Sequence, residues 1–122
     1  MIIGGAKLLD STVLAHKVVE ILTDKKAIDT VLLDVRKVSL LADYFIISTG
    51  EVERHLDALL EEVGRALKAE QTLPLHTEGA AGSGWILMDY GEVIVHLLSP
   101  KMRAYYRLEE LWKDARMVVR VQ

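Results

Sequence analysis

Cysteine is absent from this 122-residue chain. That absence excludes disulfide scaffolds, thiolate metal sites and cysteine nucleophiles, and it fits a reducing compartment such as the cytosol. Proline is scarce, at two residues, and glycine stands at eight, so neither a fibrous repeat nor a disordered chain fits. Long apolar runs are missing too. No stretch approaches the roughly 20 residues that span a bilayer. Met1 to Asp10 also lack the basic start and apolar run of a secretory signal. The expectation is a cytoplasmic protein with no membrane attachment.

What is present is a core. Hydrophobic residues make up 51% and charged residues 27% of the chain, a mix that fills one domain over residues 1–122 and leaves a wet surface. The net charge of −3 argues against a protein that coats nucleic acid by charge alone. Its distribution is uneven. Residues 101–122 hold six basic side chains (Lys101, Arg103, Arg107, Lys113, Arg116, Arg120) against three acids. A basic end suits contact with a nucleic-acid-rich or acidic partner; the plainer reading is a solvated helix face.

Hydrophobic periodicity predicts a helix opened by Asp10 or Ser11, carrying Leu14, Val18, Ile21 and Leu22 and ending near Lys25 and Lys26. Ile28–Val35 and Tyr44–Ile47 read as strands, close enough in sequence to pair antiparallel. Ser48 to Glu51 supplies candidate caps for a second helix. Its apolar stripe is Leu56, Leu59, Leu60, Val63 and Leu67, with Glu53, Arg54, Asp57, Glu61 and Lys68 outside. The stretch from Leu75 to Gly84 reads as a loop or a short extended piece.

Trp85–Met88 and Val93–Leu98 form a hairpin about Gly91. Both strands are apolar on both faces, as in the centre of a covered sheet. Ser99 and Pro100 open a last helix with Tyr105, Leu108, Leu111 and Trp112 inward, and Met117–Val121 is a candidate final strand. The fold class is α/β, in the order α-β-β-α-β-β-α, with a mixed sheet flanked by helices.

Catalytic constellations are hard to find. His16, His55, His76 and His96 are scattered, with no zinc-helix spacing. No nucleophile elbow or phosphate-loop motif occurs. Ser48-Thr49-Gly50 could turn backbone N–H groups to a phosphate. Asp34 and Asp89 near strand ends are candidates for a divalent metal, although no D-x-D pair supports them. His96 reads as a hydrogen-bonded core histidine. Five of the seven aromatics lie between residues 85 and 112. So small a domain cannot easily bury all five, and aromatics beside arginine favour interfaces. The segment Trp85 to Leu98 and the helix after it are therefore the expected functional centre, working by binding.

The run Gly84-Trp85-Ile86-Leu87-Met88-Asp89-Tyr90-Gly91-Glu92-Val93-Ile94-Val95-His96 carries a resemblance. So do Arg103, Tyr105-Tyr106 and Leu108-Glu109-Glu110-Leu111-Trp112 after it. Upstream come Asp43-Tyr44-Phe45-Ile46-Ile47-Ser48-Thr49-Gly50, Arg54-His55 and Glu78-Gly79. In this order they resemble the ribosomal silencing factor (Iojap-related) family over roughly residues 10–115. The resemblance implies a nucleotidyltransferase-like fold without its metal carboxylates. It also implies a translational repressor of the large ribosomal subunit. Such a protein would bind large-subunit ribosomal protein fourteen and block joining of the small subunit under nutrient limitation.

The partner-binding residues so implied are Glu78, Gly79, Trp85, Asp89, Tyr90, Arg103 and Tyr106, with Trp112 matching as well. No catalytic residue, cofactor or metal is implied. Two positions depart from the family pattern: Arg107 stands where an acid is usual, and Val52 where serine is favoured. The rival readings are a nucleotidyltransferase-like enzyme using Asp34 and Asp89 for metal, and a homodimer whose aromatic patch is self-contact.

Overall fold

The computed structural model describes residues 9–122. Helix α1 (Ser11–Asp24) starts where the Asp10 carboxylate accepts a hydrogen bond from the Val13 N–H at 2.9 Å. This satisfies a donor that the helix cannot pair itself. Strands β1 (Ile28–Asp34) and β2 (Tyr44–Thr49) pair antiparallel, as their short connection requires. Helix α2 (Glu53–Ala69) buries Leu56, Leu59, Val63 and Leu67, while Glu53, Arg54, Asp57, Glu61 and Lys68 stay exposed.

The caps expected at Ser48 to Glu51 are not used. Strand β2 runs through Thr49, and the residue at the helix N-cap is Val52, which has no side-chain acceptor. Ser48 is buried and hydrogen-bonds Thr30 instead, 2.6 Å away. Gly50 makes the turn: a Cβ there would lie 2.9 Å from the Leu56 side chain, so a larger residue would push α2 off the strand end.

Beyond α2 the structure adds strands to the expected order. Leu75 to Gly84 contains β3 (His76–Ala80) and a single 3-10 turn (Ala81–Ser83). Next come β4 (Trp85–Asp89), β5 (Val93–Leu98), α3 (Pro100–Tyr106), α4 (Leu108–Leu111) and β6 (Arg116–Val121). The six strands form one mixed sheet in the order β3-β4-β5-β2-β1-β6. Helix α2 carries the chain to the far edge, and β3, β4 and β5 walk back antiparallel until β5 lies parallel to β2. Helices α3 and α4 then lead to the opposite edge, where β6 pairs antiparallel with β1.

The last helix is two pieces. Ser99 caps α3 by accepting from the Met102 N–H, with Pro100 in the first turn, as its sequence indicates. The helix stops at Arg107, whose φ of 50° and ψ of 55° are left-handed. Tyr105, expected inward, is 75% exposed, whereas Leu108 is buried.

Packing on the two faces of the sheet is unequal. Leu14, Ala15, Val18 and Leu22 of α1, with the α2 stripe, cover Leu32, Ile46, Ile86, Met88, Val93, Val95 and Leu97. On the opposite face Leu108, with Met102 and Trp112 beside it, covers Val31, Leu33, Ile47 and Leu98.

Supplying the missing helix cap is a direct test of the α2 start. Val52→Ser, at φ −139° and ψ 171° on an exposed position, should raise unfolding free energy by about 1 kcal/mol, the usual worth of an N-cap oxygen. Urea denaturation reads this directly; an unchanged or lower midpoint would refute the account.

Candidate functional site

Pleating sorts the strand residues between two environments. On β4, Ile86 and Met88 are buried under the long helices, while Trp85, Leu87 and Asp89 on the other face are only partly covered. Register extends that face in rows. Glu78, Leu87, His96 and Ile47 form one; His76, Asp89, Ile94 and Phe45 form the next. Over these rows lies a groove of about 720 Å³, walled by Trp85, Leu87, Ile94 and Phe45 and closed at one side by Leu108 and Trp112. Glu78 and Asp89 are its carboxylates, and no lysine or arginine lines it among the described residues.

His96 forms the groove floor beside Trp85. The Trp85 indole N–H donates to Nδ1 of His96 at 3.2 Å, which places the imidazole proton on Nε2. Burial disfavours the imidazolium and lowers the His96 pKa to about 4. The ring also meets Phe45 edge-on at 5.3 Å, and Phe45 meets Trp112 at 4.8 Å. On the helix side Trp85 packs against Tyr106, with ring centroids 4.6 Å apart, and Tyr106 meets Tyr105 at 4.9 Å. A connected aromatic set thus runs from the groove floor to the exposed surface of α3.

Asp89 is fixed by the hairpin: its carboxylate accepts from the Gly91 N–H at 2.7 Å. His76 stands between two acids, its Nε2 2.8 Å from Glu78 and its Nδ1 3.7 Å from Asp89. At the far end of β1, Asp34 is held well below the usual carboxylate range, first by the Arg36 guanidinium bonded to it and then by Arg116.

A model of the family described as ribosomal silencing factor during starvation matches residues 9–122. The chain belongs to the ribosomal silencing factor family. It is 38% identical over 92 residues to ribosomal silencing factor RsfS of Halalkalibacterium halodurans, covering 75% of this chain and 79% of that protein. Against the Bacillus subtilis protein of the same name it is 37% identical, covering 75% and 78%. A crystal structure from Chromobacterium violaceum superposes with a TM-score of 0.82 at 32% identity, covering 86% of this chain and 88% of that one. The sequence resemblance to this family is therefore correct, and so is the mixed α/β sheet flanked by helices.

Of the residues that family resemblance singled out, Glu78, Trp85 and Asp89 meet on the groove, and Tyr106 stacks on the outer side of Trp85. Gly79 lies in a surface recess beside Glu78, Trp85 and Leu87, and two lie elsewhere. Tyr90 is buried on the α1–α2 side of the sheet, where burial raises its pKa to about 12. Among the described residues its hydroxyl is the one fully buried side-chain polar atom without a hydrogen-bond partner. Gly79 acts through its backbone. Its φ is +83°, and a Cβ would fall 2.1 Å from the Trp85 carbonyl oxygen.

Arg103 is largely sequestered at the ends of β1 and β2. There it bonds Glu109 at 2.6 Å, Thr49 at 3.1 Å and the Asp29 carbonyl. These contacts tie α3 to the sheet. Trp112 packs on Phe45 and lines the groove.

The rival sites fare differently. Asp34 shares its row with Tyr44 and Val93, and Asp89 shares the adjacent row with Phe45 and Ile94, so they lie on opposite faces. Three strand spacings, about 14 Å, also separate them; they cannot hold one ion between them. At Ser48-Thr49-Gly50 the polar groups are committed: Ser48 to Thr30, Thr49 to Arg103, and the Gly50 N–H to the Leu98 carbonyl. That turn offers no phosphate cradle.

Phe45, Leu87, Ile94, Leu41 and Leu75 are groove residues that sequence reasoning missed. The signal for Leu87 and Ile94 was their alternate spacing with Trp85 and His96. Reading both strands as covered on both faces hid it.

Burial of neutral His96 makes stability pH-dependent. Unfolded histidine titrates near 6.5 and the folded one near 4. The unfolded chain therefore binds the extra proton between those values, and the stability His96 carries is complete above pH 6.5 and lost as pH falls towards 4. From pH 7.5 to 5 the loss is about 2 kcal/mol. The unfolding free energy of the native chain should therefore drop by that much more than that of His96→Gln; equal drops would refute the assignment.

Proposed function

We propose that this chain binds the large ribosomal subunit through the groove face around Trp85 and sterically blocks joining of the small subunit, lowering translation under nutrient limitation. The observation that carries the reading is the half-open sheet face in a member of this family. Aromatic and aliphatic side chains are left part-exposed there beside two carboxylates, with no lysine or arginine among the described residues that line it. Such a face suits a basic ribosomal protein rather than a phosphate backbone. Large-subunit ribosomal protein fourteen, the partner suggested by the sequence resemblance, is the proposed contact, and the cytoplasm the proposed setting. Glu78, Trp85, Asp89 and Tyr106 are the proposed contact side chains; Gly79 and Arg103 shape the surface, and Tyr90 supports it from the core.

The basic C-terminal segment contributes less than its composition suggests. Arg103, Arg116 and Arg120 are engaged with Glu109, Asp34 and Asp29. Lys101, Arg107 and Lys113 are exposed outside these pairs, with Arg107 3.6 Å from Glu110, while Arg116 and Arg120 are exposed but paired. With those pairs kept, the segment offers ribosomal RNA about three phosphate contacts.

Sedimentation tests both parts. The native protein should travel with large subunits and reduce the joined fraction; if it does neither, the reading is wrong. Trp85→Ala and Glu78→Lys should each weaken binding at least tenfold, an effect on the scale of an interface anchor, about 1.4 kcal/mol or more. In a salt titration the slope of log K against log salt should be no steeper than about −3, given about 0.9 per phosphate contact. A slope near −6 would instead mean that the internal ion pairs open onto RNA.

A further inference from the structure

The groove does not end at its aromatic walls. Two loops, 36–43 between β1 and β2 and 72–75 before β3, meet the same β4–β5 turn. The Asp43 N–H donates to the Glu92 carbonyl at 2.7 Å, and the Leu75 N–H to the Asp89 carbonyl at 2.7 Å. Each loop holds a pair of leucines turned to solvent. Leu40 is fully exposed and Leu41 89%, while Leu73 is 64% and Leu75 73% exposed. Leu41 and Leu75 also line the groove directly. Leucine scattered singly over a surface needs no explanation, but two exposed pairs on loops tied to one turn, each with a member lining the same groove, widen its apolar surface.

We propose that Leu40, Leu41, Leu73 and Leu75 form an apolar rim that extends the docking face and seats a basic ridge of a large-subunit ribosomal protein. Apolar side chains of the partner lie against the leucines, and a lysine or arginine reaches Glu78 and Asp89. The charge of the lining selects this occupant. Two carboxylates face the groove with His76 between them, and no lysine or arginine lines it among the described residues. Arg36, the first basic residue of the 36–43 loop, is turned away to Asp34 at 2.7 Å. A phosphate backbone would meet only repulsion here. The proposal rests on the ribosome-binding reading above and specifies which side chains beyond that face hold the partner.

Because all four leucines are exposed, serine in their place leaves the core intact. The test compares native protein, Trp85→Ala, Leu40→Ser/Leu41→Ser and Leu73→Ser/Leu75→Ser for co-sedimentation with large subunits, with urea midpoints measured in parallel. Each leucine pair should lose binding at least tenfold at an unchanged midpoint. If both pairs bind as the native protein does while Trp85→Ala fails, the rim is not a contact and the broader reading stands. If the native protein itself does not bind, the broader reading falls and takes the rim with it. A leucine variant that turns a dimer into a monomer in sedimentation equilibrium, with subunit binding retained, would assign the rim to a second copy of the chain and overturn the proposal. Retained subunit binding that competes with an RNA oligonucleotide for the groove would overturn it in favour of RNA.

Discussion

Parallel pairing of β2 with β5 is the constraint on which the rest of the molecule depends. Parallel neighbours cannot be joined by a tight turn, so the chain must travel before it returns. Here it travels through α2 and then back across three antiparallel strands. Both parallel strands also end at the same edge, so α2 and α3 start side by side, from Gly50 and Ser99, and serve opposite faces of the sheet. The face that receives α1 and α2 gets two long helices, each roughly 10 Å wide, against a sheet about 24 Å across. The other face receives a seven-residue and a four-residue helix. One short strip cannot cover six strands, and the uncovered part is the groove.

The ionic contacts near the chain's end reinforce this arrangement. Arg116 and Arg120 of β6 reach Asp34 and Asp29 at the two ends of β1. Arg103 joins the same Asp29 backbone from α3. Asp29 itself is left-handed, at φ 49°, within a register shift of β1. The basic excess of residues 101–122 is thus largely a set of clamps that hold the last strand and the short helices to the sheet. Two of the acids they meet, Asp29 and Asp34, lie in the first third of the chain, which is why the charge count alone pointed outwards.

Elements with strong local signals were legible in the sequence. α1 and α2 have long apolar stripes, the β4–β5 hairpin has Gly91, and α3 has Ser99 and Pro100. β3 was not legible. Its residues His76 to Ala80 are all exposed and have neither apolar bulk nor alternation; only pairing with β4 makes them a strand. The break at Arg107 was equally hidden, since nothing local demands a left-handed arginine there. Among the site residues, Trp85 could be read from its aromatic surroundings, while Tyr90 could not be distinguished from it. One residue past the end of β4 in the turn, Tyr90 points to the helices and Trp85 to the groove. A local motif does not record which side of a sheet its residues face.

Gly79 carries a consequence for how the edge of this sheet meets other molecules. Among the described residues β3 has β4 on one side and no strand on the other, and such a border normally invites a foreign strand to add itself. With φ at +83°, the peptide planes flanking Gly79 rotate out of the ladder direction part-way along a strand of only five residues. A left-handed residue in so short an edge strand makes it a poor template for an arriving strand. The border thus resists indiscriminate sheet extension while the apolar face behind it stays open. Recognition on this side is left to side chains, which can be selective, and withheld from the backbone, which cannot.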